Sequence, residues 1–165
     1  MTAAPLVVTL VLDDATQQRF DAERARLFPA GRTAVGAHVT LFHAVPGELE
    51  EQVRADLAEH AVDAFDVGVD AVMSLGRGAA YRLAAPELDR VHRALQQLWW
   101  AHLTRQDRQP LRAHVTVQNK VSAEQARETV AALRASFVPF TAIAHGLALW
   151  RYDGGPWTAL ARFPC

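Results

Sequence analysis

Two copies of one tetrapeptide, Ala37-His38-Val39-Thr40 and Ala113-His114-Val115-Thr116, stand 76 positions apart (114 minus 38). Each runs on into an apolar residue, Leu41 in one copy and Val117 in the other. With 7 His in 165 residues, chance supplies only about 0.4 His-x-Thr pairs. Two in one context point to a paired site. In a β-strand, residues i and i+2 share a face. His38 and Thr40 therefore project one way while Val39 and Leu41 enter a core, and the second copy repeats this. One imidazole of such a pair takes a proton while the other gives one, because both protonation states coexist near neutral pH. Threonine hydroxyls beside them donate to charged oxygens. With no carboxylate or cysteine in either copy, in-line displacement at a phosphodiester fits this set, with water or a ribose hydroxyl as nucleophile.

The elements that must position these residues also recur. Phe65–Leu75 lies over Phe140–Trp150 at an offset of 75, and Gly78–Leu83 over Gly154–Ala159 at 76, each reading as a hairpin turned at glycine. Leu6–Leu12 reads as a strand, and Asp13 or Asp14 caps a helix running to about Leu27. Pro46-Gly47 precedes a helix with Leu49, Val53 and Leu57 at four-residue spacing. Pro86 opens a third helix, with Leu88, Val91, Leu95, Leu98 and Trp99 on one stripe. Ser122 and Gln125 form a capping box for a fourth, with Ala126, Val130, Leu133 and Phe137 inward. The order is strand-helix-strand-helix-strand, repeated, with an extra closing strand. This predicts an α/β (α+β) fold in one domain, 1–165, with an internal repeat at roughly 1–78 and 79–165. Its two pseudo-symmetric lobes have sheets lining a central groove and helices on the outer faces.

Composition bounds the function classes. At 50% hydrophobic, 165 residues bury a sizeable core. A net charge of −1, with 16 Arg and one Lys, argues against a large duplex-binding footprint but leaves room for one nucleotide or RNA end held by a few arginines. Leu6–Leu12 is too short for a membrane span and lacks a signal peptide's basic flank. The single cysteine, Cys165, forms no internal bridge. A cytoplasmic, monomeric protein without membrane contact is expected.

The paired His-x-Thr motifs in duplicated α/β halves resemble the 2H phosphoesterase superfamily, in particular its bacterial 2′-5′ RNA ligase or cyclic phosphodiesterase branch. The resemblance covers the whole chain and is carried by His38-Val-Thr-Leu-Phe-His-Ala-Val-Pro-Gly47 and His114-Val-Thr-Val-Gln-Asn-Lys-Val121. It implies a groove, without cofactor or metal, in which His38 and His114 act on a 2′,3′-cyclic phosphate of an RNA 3′ end or cyclic nucleotide, or on a 2′-5′ linkage. Thr40 and Thr116 would bind its oxygens. It also implies that His114 activates water and His38 protonates the leaving ribose oxygen.

Around that centre, strand parity puts Arg112, Gln118 and Lys120 on the face of His114, and Phe42 and Ala44 on that of His38. The second half would hold water and the first would pack a nucleoside. Tyr81 and Trp157, equivalent in the repeat, are stacking candidates for a base. Arg77 and Arg151 sit at matching hairpin positions and, like Arg112, are candidates to bind phosphate. His43 is an odd number of residues from His38, so it is expected on the opposite face in a structural role. The alternative reading is a non-catalytic RNA- or nucleotide-binding module on the same fold, although such sheets usually display adjacent aromatics. A zinc site needs at least three protein ligands, for which a loop carboxylate such as Asp153 would have to join the two histidines.

Overall fold

A computed structural model describes residues 3–29 and 35–164, so Cys165 lies outside the described residues. The elements run β1 (Leu6–Leu12), α1 (Asp14–Leu27), β2 (Val39–Val45), α2 (Glu50–His60), β3 (Phe65–Ser74), β4 (Ala79–Ala84), α3 (Pro86–Trp99), β5 (His114–Gln118), α4 (Ala123–Ser136), β6 (Phe140–Arg151) and β7 (Thr158–Pro164). Single 3₁₀ turns precede α2 and follow α3. The helix starts have local causes. The Asp13 carboxylate accepts the Thr16 amide at 3.0 Å, and Ser122 Oγ accepts the Gln125 amide at 3.0 Å. Pro86 occupies the first turn of α3, where its missing N–H costs nothing.

All strand pairs are antiparallel and form one seven-stranded sheet, ordered β2-β1-β6-β3-β4-β5, with β7 alongside β6. Exchanging the first three strands for the next three (β1 for β4, β2 for β5, β3 for β6) reverses that order without changing it, so the sheet has a pseudo-twofold axis between β6 and β3. The sheet curls until Cα atoms of its two edge strands, β2 and β5, come within 8 Å of each other. Helices cover the outer face. Phe20 of α1 packs on Tyr81 of β4, and Phe137 at the end of α4 meets the same ring. On the other half, His92 and Trp99 of α3 pack on Phe42 of β2, and Trp99 Nε1 donates to Asp56 of α2 at 2.9 Å. The fully buried Val8, Val39, Leu57, Leu95, Val115 and Leu149 lie in the core between sheet and helices. No described helix is long and apolar enough to cross a membrane.

A bulge recurs at equivalent places in the two motif strands. Thr9 and Val8 of β1 pair with Thr40 and Phe42, so Leu41 is an extra residue. Ala80 and Ala79 of β4 pair with Thr116 and Gln118, so Val117 is its counterpart. An extra residue reverses the inside–outside alternation beyond it. The second bulge leaves Gly78 tight against the strand end: a Cβ there would sit 1.9 Å from the Gln118 carbonyl oxygen and 2.8 Å from Asn119 Cα. Both are backbone atoms and cannot rotate away. Gly78→Ala is therefore expected to cost about 1–3 kcal/mol, read as a lower urea midpoint at unchanged slope.

Candidate active site

His38 directly precedes β2 and His114 opens β5, so the two motifs stand on the approaching edges of the curled sheet. The two imidazoles are held alike. Each Nδ1 lies 2.7 Å from the carbonyl oxygen two residues earlier, that of Gly36 for His38 and that of Arg112 for His114. A carbonyl only accepts, so both Nδ1 atoms carry hydrogen and both Nε2 atoms are left for a ligand. Helix α1 fixes the first motif: Asp21 accepts the Ala37 amide at 2.7 Å, and Gln17 donates to the Ala37 carbonyl at 2.7 Å. Thr40 and Thr116 are half-buried, with Thr9 and Ala80 as their cross-strand neighbours.

The electrostatics of the first motif are uneven. Burial pushes the His38 imidazolium below the ordinary histidine value, and the positive charges of Arg24, His114 and His43 act in the same direction, against the Gly36 hydrogen bond. Arg24 itself is buried, so burial disfavours its charge as well. Its guanidinium donates to the Val35 carbonyl at 3.1 Å and the Thr116 carbonyl at 2.7 Å, tying the segment before His38 to the strand of His114. That satisfies a buried cation through backbone oxygens.

Two clefts flank the motifs. One, of about 290 Å³, is lined by His38, Trp150, Trp157, Gln17, Asp21 and Arg162, among others. Trp157 lies 4.6 Å from the His38 ring and 6.0 Å from Trp150, centroid to centroid, forming an aromatic wall. The other, of about 550 Å³, is lined by Thr40, His43, His92, Gln106, Asp107, Gln109, Arg112 and His114. Arg112 also borders a neighbouring hollow with Arg82.

Several sequence expectations need correcting. Phe42 does not face the groove: it is fully buried, stacked on His92 at 4.8 Å and edge-on to Trp99 at 4.9 Å. Gln118 is likewise buried, and its Nε2 donates to Thr129 of α4 at 2.8 Å. One cause serves both, since each follows a bulge that turns it to the helix side. Tyr81 pairs with Val115, whose side is that of the core, so its ring packs between Phe20 and Phe137 and its hydroxyl donates to Glu23. Burial pushes the Tyr81 phenol well above its ordinary range, with Glu23 adding to the effect. Lys120 lies beyond the end of β5 with φ of 61°, so strand parity does not apply to it. Arg77 and Arg151 are engaged elsewhere, Arg77 with the Val121 carbonyl and Arg151 with Glu50. Asp153 is exposed and accepts from Thr158, and no three described His, Cys, Asp or Glu residues gather as a metal would need.

Sequence reasoning missed other residues. Arg82 pairs directly with His114 across β4 and β5, a register that no single-strand pattern reveals. Arg24 had a legible signal, because Thr16, Phe20 and Arg24 form a four-residue stripe and all three are buried. His43 is a further correction: expected on the face opposite His38, it is turned by the bulge onto the cleft side, with Nδ1 on Asp107 at 3.1 Å.

The family model described as the 2′-5′ RNA ligase superfamily matches residues 12–156. Escherichia coli LigT complexed with 3′-AMP is similar at a TM-score of 0.67 and 19% identity, over 98% of each chain. TT0787 of Thermus thermophilus gives 0.68 at 16% identity over 97% of each chain, and Kluyveromyces marxianus Usb1 gives 0.54 at 16% over 99% of each. No curated protein matches in sequence. A family model spanning nearly the whole chain, on a fold shared end to end with these structures, means that the chain belongs to the 2′-5′ RNA ligase superfamily, the 2H phosphoesterases.

Proposed function

We propose that this protein is a phosphoesterase that opens 2′,3′-cyclic phosphates of nucleotides or RNA 3′ ends, or acts on 2′-5′ linkages, by two-histidine acid/base catalysis. The observation that carries this reading is the matched pair of Nδ1–carbonyl bonds, which leaves both Nε2 atoms free on approaching strands. A phosphate between them would be flanked by one base and one acid. His114 Nε2 takes a proton from water as the water oxygen bonds to phosphorus. The bond from phosphorus to a ribose oxygen breaks, and His38 Nε2 supplies that oxygen's proton. The Thr40 and Thr116 hydroxyls donate to the two non-bridging oxygens. The aromatic wall beside His38 stacks the base, with Trp157 in contact, while Arg112 and Arg82 supply positive charge on the side of His114. The nucleotide named in the LigT–3′-AMP complex is in keeping with such a ligand.

The role order follows the family resemblance, and the free site acts against it, because burial favours neutral His38. A phosphate bound between the rings acts in the other direction, favouring the charged imidazole. This has a sign in pH. As the acid, His38 must be protonated, so kcat/KM falls as pH rises through its free-enzyme value, which lies below the ordinary 6.5. The corresponding limb of kcat, which reports the bound state, is expected at higher pH. A panel of 2′,3′-cyclic nucleotides, cyclic-phosphate-ended oligonucleotides and 2′-5′-linked dinucleotides, assayed with EDTA across pH, tests the proposal. Turnover in EDTA with a bell-shaped profile is expected. Binding of these compounds without turnover of any would establish the non-catalytic module instead.

A further inference from the structure

A third histidine borders the larger cleft and takes no part in the chemistry above. The side chain of His43 is 44% exposed, whereas that of Asp107 beneath it is 1% exposed. Asp107 accepts the amides of His43 and Ala44, both at 2.9 Å, and His43 Nδ1 at 3.1 Å. Burial works against its charge, but these bonds outweigh that and hold its carboxyl below the ordinary range. A carboxylate only accepts, so His43 Nδ1 donates to it and His43 Nε2 is the atom left for a ligand. The loop carrying Asp107 is anchored from α3: Gln96 Nε2 donates to the carbonyls of Asp107 and Gln109 at 3.0 and 2.9 Å. His43 is therefore an oriented imidazole on a built wall.

Its position and surroundings indicate what it would hold. Beyond the bulge at Leu41, two ladder steps separate it from Thr40, roughly 7 Å of rise, which carries it past the phosphate that Thr40 would bind. The cleft there holds His43, Gln106, Gln109 and Arg112, and Asp107 is its only described carboxylate, already saturated by donors. Such a lining suits anionic oxygen. A nucleoside 2′,3′-cyclic phosphate carries its base and its 5′ oxygen on opposite flanks of the ribose. With the cyclic phosphate between His38 and His114 and the base toward Trp157, the 5′ oxygen is directed to the larger cleft.

We propose that His43, oriented by the buried Asp107, binds the 5′-phosphate of the nucleotide whose cyclic phosphate reacts, and so selects 5′-phosphorylated or internucleotide-linked substrates over simple cyclic nucleosides. The proposal rests on the cyclic-phosphate reading of the site. The test compares a nucleoside 2′,3′-cyclic phosphate with its 5′-phosphorylated counterpart, by steady-state kinetics and by calorimetric Kd. Wild type is expected to favour the phosphorylated compound roughly tenfold or more, the scale of one charge-assisted hydrogen bond. The preference should lie in KM and Kd rather than in kcat. His43→Ala should remove most of it, and His43→Gln, which keeps a donor near the Nε2 position, should retain part. Equal treatment of the two compounds by wild type, or a preference that survives in His43→Ala, overturns the proposal. Turnover of neither compound defeats the cyclic-phosphate reading instead, and the Kd contrast still reads the role of His43.

Discussion

His38→Ala and His114→Ala are each expected to lower kcat by roughly 10²–10⁴-fold, the usual size of a positioned acid or base. The double variant should fall little further, because a base without its acid, or the reverse, already leaves the displacement uncatalysed at one end. Neither substitution touches the core, since both rings are half-buried on the groove side and their anchoring carbonyls belong to the backbone. Thermal midpoints should therefore stay close to wild type, which separates lost chemistry from lost fold. A substrate with sulfur in place of the leaving ribose oxygen then divides the roles. Thiolate departs without a proton, so activity lost in His38→Ala should be largely rescued on it, while that lost in His114→Ala should not. Rescue in the reverse pattern would exchange acid and base.

Phe42→Ala is expected to cost roughly 3–5 kcal/mol of stability, as for other buried aromatics. Phe42 is fully buried and lies between His92 and Trp99 of α3. Its removal would open a cavity under the very strand that carries Thr40. Burial holds His92 toward the neutral form, with Arg93 acting in the same direction. Denaturant unfolding at unchanged slope reads the loss directly. A groove-lining platform for a nucleoside would behave differently, with KM rising and stability hardly moving. Trp157, against His38 at the mouth of the smaller cleft, is the residue on which that second behaviour is expected.

The contrast between Phe42 and Trp157 marks where sequence reasoning ends. Residue order alone was enough for the paired His-x-Thr motifs, the four helices with the side-chain caps of α1 and α4, and the strand-helix-strand-helix-strand order repeated with a closing strand. Those features depend on near neighbours: a capping carboxylate three residues away, a four-residue apolar stripe, a period of two. The tertiary structure decided which groups meet. Bulges at Leu41 and Val117 arise from pairing with β1 and β4, and they send Phe42 and Gln118 into the helix layer while bringing His43 to the cleft. Asp107, 64 residues beyond His43, orients its ring from a loop that no local pattern connects to it. Arg24 reaches across 92 residues to the Thr116 carbonyl only because α1 packs against β5, on the opposite half of the sheet from β2. A period of two predicts a side chain's face only while the ladder stays in step. Register is a property of two strands together, and one inserted residue reverses every face beyond it.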